Sequence, residues 1–286
     1  MKEIPIILSS CDLYEDAWNP FFRLLQANWH NASKDVYLIT ESKKYIDSYF
    51  NVQCINYPSS YWSDRVIFAL SKIHAEFAWF FLEDFFLERE VNEEIIKSAE
   101  ECIVTDSNVG VIKFIPCITS SWYNDKVFID TYFSEIPYSS KHRSNLMLSL
   151  YRISYFSQML RHKETPWDFE AFGTYRSRRL KEKVLIQNDS FPLAFPYNYQ
   201  IKYGFGISKK KWLRNNQKLF EQYGINVDFE KLGWYEEVAA PKIIGLKRTF
   251  LQKCIMPVIN PKLFFTIMSV IIKEWYYKIS HLHHYF

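Results

Sequence analysis

The residues of this sequence best placed to do chemistry are acids that follow an apolar run. Ala78, Trp79, Phe80, Phe81 and Leu82 are unbroken apolar, Glu83 and Asp84 come next, and Glu88 lies one turn on. The run is too short for a helix of its own and fits a strand covered on both faces. Two carboxylates at the exit of such a strand stand where open α/β sheets bind ligands, beyond the strands' carboxyl ends. A divalent cation that neutralises a diphosphate is held by one or two carboxylates, with phosphate and water completing its shell. Side chains alternate along a strand, so Glu83 and Asp84 point to opposite sides and one of them ligates directly. Asp84 is the candidate, and Glu83 either faces the ligand or joins a buried polar network. A solvated acidic loop after a strand is the plain alternative. A second unusual stretch, WDFEAFGTYRSRR (167–179), sets Asp168 and Glu170 beside Trp167 and Phe169, then adds Arg176, Arg178 and Arg179.

The elements that must position these groups alternate. IPIILSS (4–10) reads as the first strand, followed by a helix carrying Phe21, Phe22, Leu24, Leu25 and Trp29 and entered through Asn19-Pro20. DVYLIT (35–40) and VQCINY (52–57) are the second and third strands. From Trp62, the residues Val66, Leu70, Ile73 and Phe77 form one helical stripe that delivers the acidic strand. VNEEIIKSAEEC (91–102) predicts a helix and VGVIKFI (109–115) a strand. LMLSLYRISYFSQMLRH (146–162) predicts an amphipathic helix that stops before Thr165-Pro166. VLIQN is a further strand, and residues 201–225 give a glycine-bearing turn and a helix ending near Gly224. This alternation predicts a mixed, mainly parallel sheet with helices on both faces.

Composition bounds the class. With 286 residues, 48% apolar and 19% aromatic, and only 7 glycines, the chain carries an ample core and is not a disordered polymer. Cys11, Cys54, Cys102, Cys117 and Cys254 form no CxxC pair, as expected of buried free thiols in a reducing compartment. The opening MKEIPIILSS lacks a signal-peptide pattern and no window holds 18 uninterrupted apolar residues, so the expectation is cytoplasmic residence without a spanning helix. No HExxH, GxSxG, GxGxxG or GxxxxGK[ST] motif occurs, which argues against zinc hydrolase, α/β-hydrolase, dinucleotide and P-loop chemistry. His281, His283 and His284 cluster at the C-terminus, where fraying is expected and metal binding is the alternative. In the tail 241–286, seven basic residues against the single acid Glu274 leave +6, interleaved with apolar and aromatic residues. Such a tail suits an anionic membrane surface, making a peripheral location on the inner face of the cell membrane; a terminal helix pair with a lysine-rich outer face is the alternative. The expected division is therefore 1–240, with 1–115 and 116–240 forming its two sides, and 241–286.

The order of SSCDLYEDAW, WSDRVIFALSKI, FFLEDFFL, PWDFEAFGTYRS and YGFGISKKKW, spanning residues 4 to about 235, resembles bacterial GT-A type glycosyltransferases of capsule, O-antigen and other cell-surface polysaccharide synthesis. The resemblance implies a GT-A-like, Rossmann-like catalytic domain with a C-terminal helical appendage. It implies transfer of a sugar from a nucleotide diphosphate-sugar, UDP-sugar foremost, to a hydroxyl of a lipid-linked oligosaccharide. The nucleotide-sugar side falls on Ser9, Ser10, Asp12, Tyr14 and the loop from Glu41 to Tyr45, with Asp64, Arg65, Glu83, Arg176 and Arg178. The family's Asp-x-Asp metal motif is altered here to Glu83-Asp84-Phe85, which leaves Asp84 as the ligand for Mn²⁺ or Mg²⁺ and puts metal dependence in question. Negative charge developing on the leaving diphosphate needs a metal or cations aimed at it, and Arg65, Arg176, Arg178 and Lys209 to Lys211 are available. An inverting reaction needs a carboxylate base for the acceptor hydroxyl, for which Glu170 is the candidate and Asp168 the second. The alternatives are a retaining transferase of similar fold and a non-catalytic basic protein that binds anionic lipid or nucleic acid; nucleic acid leaves the acidic strand end without a role.

Overall fold

A computed structural model describes residues 3–115, 126–140, 142–199 and 204–236, and Met1–Tyr235 forms one compact unit. The tail and Cys117 and Cys254 lie outside the described residues. Among the described residues nine strands make one sheet in the order β3-β2-β1-β4-β8-β5-β9-β7-β6. They are β1 (Ile6–Ser9), β2 (Asp35–Thr40), β3 (Asn51–Asn56), β4 (Phe77–Leu82), β5 (Val109–Lys113), β6 (Val127–Phe128), β7 (Phe133–Glu135), β8 (Ser149–Arg152) and β9 (Lys183–Gln187). The pairs β1·β2, β1·β4, β2·β3 and β5·β9 are parallel, whereas β8 lies antiparallel between β4 and β5. The β6·β7 and β7·β9 pairs are antiparallel too, so the sheet is mixed, parallel through β3, β2, β1 and β4. All four residues of β1 are enclosed, so both faces of that parallel half need cover.

Helices α1 (Trp18–Asn28) and α3 (Glu93–Thr105) pack on one face, against Ile6, Leu8, Trp79 and Phe81. On the other, α2 (Trp62–Leu70), α4 (Ile153–Met159) and α5 (Pro166–Ser177) cover Ile7, Ala78 and Phe80. The chain runs from β1 outward to β2 and β3, then α2 carries it back across the sheet to β4 on the other flank of β1. The gap between the carboxyl ends of β1 and β4 is thus a topological switch point, where open sheets leave a crevice.

Two expected helices are shorter than their sequence patterns. The first ends at Leu70, and Phe77, the last residue of its stripe, opens β4 and packs toward the opposite face. The predicted helix over 146–162 is a strand followed by two turns of helix. Its first half alternates, with Leu148 and Leu150 on one face and Tyr151 on the other, and it fills the slot between β4 and β5. Strand pairing on both edges outweighs the helical spacing that Leu146, Leu150 and Ile153 also satisfy. Arg152 ends the strand by donating to the carbonyls of Ile103 (2.7 Å) and Val109 (3.1 Å). The described cysteines, Cys11, Cys54 and Cys102, are free and half-buried rather than fully enclosed.

Candidate functional site

At the end of β1 two serine hydroxyls are held by two indoles. Trp62 Nε1 donates to Ser9 Oγ at 2.9 Å, and Trp18 Nε1 to Ser10 Oγ at 2.8 Å. The Ser10 hydroxyl lies beside Glu83 and favours its charged form. The loops beyond β1 and β2 lock reciprocally. Asp12 Oδ1 accepts from the Ser42 (3.1 Å) and Lys43 (3.0 Å) backbone N–H groups, and Glu41 accepts from Asp12 N. Glu41 also pairs with Arg65 at 2.8 Å, and Arg65 donates to Ser59 O at 2.6 Å, which ties α2 to the same rim.

Glu83 and Asp84 sit in the switch-point crevice, each 7% exposed. Burial raises both carboxyls, and for Glu83 the neighbouring Asp84 charge adds to it. Arg65 and the Ser10 hydroxyl oppose the rise at Glu83, while Asp84 is steadied by backbone donors, Ile207 N–H reaching Oδ2 at 3.1 Å. Tyr14 and Cys11 face the same charges. Burial first and Glu83 second push the Tyr14 phenol well above its ordinary value and the Cys11 thiol up to about 11.

The element over Asp84 is a small hairpin of β10 (Ile207–Ser208) and β11 (Lys211–Trp212). Its two-residue turn holds Lys209 and Lys210 at φ 49° and 66°, as a primed turn requires, a conformation that costs non-glycine residues. Gly206 lies so close to Phe86 that an added Cβ would overlap its ring, and its N–H donates to Asp84 O at 3.2 Å. Asn198 fastens the hairpin from beneath. Its Oδ1 accepts from Phe86 N (2.7 Å) and its Nδ2 donates to Asn216 Oδ1 (3.1 Å), while Asn216 Nδ2 donates to Gly206 O. Helix α6 (Asn215–Gln222), which carries Asn216, ends before Gly224 at φ 64°, the left-handed position where glycine closes a helix.

The expected residues therefore fall into three groups. Ser9, Ser10, Asp12, Tyr14, Glu41, Arg65, Glu83 and Asp84 converge on the rim around β1 and β4. Asp64, Asp168, Arg176 and Arg178 have structural engagements. Asp64 holds Ser59, Lys163 N and His162; Asp168 closes a capping box with Thr165 at the start of α5; Arg176 grips Glu164 with two bonds of 2.7 and 2.8 Å; Arg178 donates to the Ser139 and Ser140 carbonyls. Glu170 stands apart from both groups. It is beside Lys113, at the carboxyl end of β5, and its Oε1 accepts from Leu146 N at 2.9 Å. Trp167 is 77% exposed, whereas Phe169 is fully buried against Trp62 and Phe156, so only the former can meet a ligand.

The sequence reading passed over Lys113, Asn198 and Gly206. A lysine inside the apolar strand VGVIKFI was a visible signal; the Asn198 clamp joins segments 112 residues apart and left none. Among the described residues no group of three acids, histidines or cysteines is arranged for a metal, and no helix is long and apolar enough to cross a membrane.

No protein-family model matches the chain, and no curated protein is similar to it in sequence. Solved structures with a similar arrangement include S. aureus TarS 1–349 in complex with UDP-GlcNAc, at 14% identity and a TM-score of 0.45 over 65% of this chain and 56% of that one. Another is the bifunctional glycosyltransferase WbbM, at 10% identity and 0.37 over 62% and 38%. A CMP:2-keto-3-deoxy-manno-octonic acid synthetase complexed with CTP matches at 14% and 0.37 over 65% and 89%. The chain spans less than two thirds of the TarS and WbbM chains it resembles.

Proposed function

We propose that this chain is a glycosyltransferase that binds a nucleotide diphosphate-sugar at the switch point between β1 and β4 and transfers the sugar to an acceptor hydroxyl. The observation that carries the reading is the buried pair Glu83-Asp84 in that crevice, under a hairpin whose tip is Lys209-Lys210. Buried carboxylates are costly unless a cation or donors meet them, and a strained turn marks a segment kept for its position. The residues suit a divalent cation: Asp84 offers hard oxygen donors, and with no third acid among the described residues arranged beside it, water and diphosphate oxygens would complete the shell. When bound, Mn²⁺ or Mg²⁺ would neutralise the leaving diphosphate. Lys209, Lys210 and Lys211 on the hairpin and Arg65 on the rim supply positive charge from the protein side for the negative charge that develops as the glycosidic bond breaks. Ser9 and Ser10 shape the floor of the crevice, their oxygens already fixed by Trp62 and Trp18.

Glu170 takes the acceptor proton in this reading. Burial raises its carboxyl, which brings a carboxylate base nearer the working pH, and exposed Trp167 one helical turn away offers a face for a sugar ring. The stereochemical course is inverting, the acceptor is a lipid-linked oligosaccharide of cell-surface polysaccharide synthesis, and the basic tail 241–286 holds the enzyme at the anionic membrane face. A panel of UDP-, GDP- and dTDP-sugars tests this by thermal shift and hydrolysis. Stabilisation by one nucleotide class supports the reading, and no response to any of them contradicts it. The anomeric proton of the product, read by NMR, separates inversion from retention.

A further inference from the structure

Lys113 ends β5 with its ammonium enclosed, only 1% of the residue being exposed. Its Nζ donates to two oxygens of Asn145, the main-chain O at 3.1 Å and Oδ1 at 2.9 Å. The N–H at the other end of that same peptide unit belongs to Leu146 and donates to Glu170 Oε1 at 2.9 Å. One planar amide therefore joins a lysine on its oxygen to a carboxylate on its nitrogen. A cation on the oxygen polarises the amide and strengthens its N–H as a donor, and the rigid plane fixes the direction of that N–H. Burying a lysine against neutral acceptors costs stability that an apolar residue would not, so its presence in the strand calls for a role beyond packing.

We infer that Lys113 is a positioning residue for Glu170, acting through the Asn145–Leu146 peptide that the two side chains grip from opposite ends. The inference rests on Glu170 being the base of the proposed reaction. Charged and titratable groups facing Glu170 are Lys113 from β5, His142 from the preceding loop and Tyr151 from β8; Arg143 acts on Lys113. Burial raises Glu170, and the Leu146 N–H, Lys113 and His142 pull it back. Burial lowers Lys113 to about 7, so it carries its charge through the acid range in which Glu170 gains a proton.

The test is the titration of Glu170 itself, followed by ¹³C NMR of protein carrying carboxyl-labelled glutamate, with Glu170→Gln assigning the signal. In Lys113→Met the midpoint rises by about one pH unit, the low end of what an opposite charge does to a carboxyl. The acid limb of kcat/KM for sugar transfer moves with it, so the loss of activity is several-fold below pH 6 and shrinks toward pH 8. Lys113→Gln keeps a donor for Asn145 without the charge and moves the midpoint the same way, which serves should the methionine variant not fold. An unmoved midpoint, with activity reduced equally at every pH, overturns the inference. A midpoint that moves while the acid limb stays supports the coupling and removes Glu170 from the role of base.

Discussion

Asn198→Ala separates a clamp from mere packing. Asn198 is 1% exposed and its side chain serves two buried partners, Phe86 N–H and Asn216 Oδ1. Truncation leaves both without that partner in places water does not reach, since Phe86 and Asn216 are each 0% exposed. An orphaned buried donor or acceptor costs about 1–3 kcal/mol, so the pair predicts a loss of roughly 3 kcal/mol. With a urea m-value of about 3 kcal/mol/M the unfolding midpoint falls by about 1 M. The control is Asn51→Ala, which removes an exposed 2.7 Å bond to Asp35 at the sheet edge and should cost no more than about 0.5 kcal/mol. The Asn216–Gly206 link also holds Ile207 N–H against Asp84, so nucleotide affinity should fall in Asn198→Ala and stay unchanged in Asn51→Ala. A midpoint within 0.2 M or so of wild type, on the same m-value, would show that the hairpin is held by something other than this clamp.

Two further outcomes follow from the same geometry. Gly206→Ala drives a methyl into the Phe86 ring and toward Asp84 O at 3.1 Å, so it should weaken nucleotide binding at least about tenfold while leaving most of the fold intact; a crystal structure of the variant with an unmoved hairpin would refute this. Lys113 is lowered to about 7 in the folded protein, so between that pH and its unfolded value near 10.5 the unfolded chain binds more protons and stability rises with pH. Urea midpoints of wild type and Lys113→Met, compared from pH 7 to 10, should therefore converge as the wild-type penalty fades; parallel curves would mean that folding does not lower the Lys113 ammonium and that it stays charged across this range.

Much of the sheet was legible because its strands bury on both faces. DVYLIT coincides with β2, and the apolar run before Glu83 is β4 extended by Phe77. The failure at 146–162 has a physical cause: Leu148, Leu150 and Tyr151 satisfy either period, and only the vacancy between β4 and β5 decides for the strand. The site was half legible. Acids at a strand exit announce themselves, but Asp168 and Arg176 are spent on a cap and on an ion pair that depend on neighbours three and twelve residues away. Lys113 and Glu170 lie 57 positions apart and meet only through a peptide that the β8 entry brings between them.

Calorimetry with UDP and Mn²⁺ on wild type, Asp84→Asn and Glu100→Gln bears most directly on the switch-point site. Glu100, on α3 and away from the crevice, accepts from Trp79 and serves as the control. The proposed function predicts saturable binding to wild type and Glu100→Gln and at least about a tenfold loss, about 1.4 kcal/mol, in Asp84→Asn. Equal binding by all three proteins, or none by wild type, would contradict it.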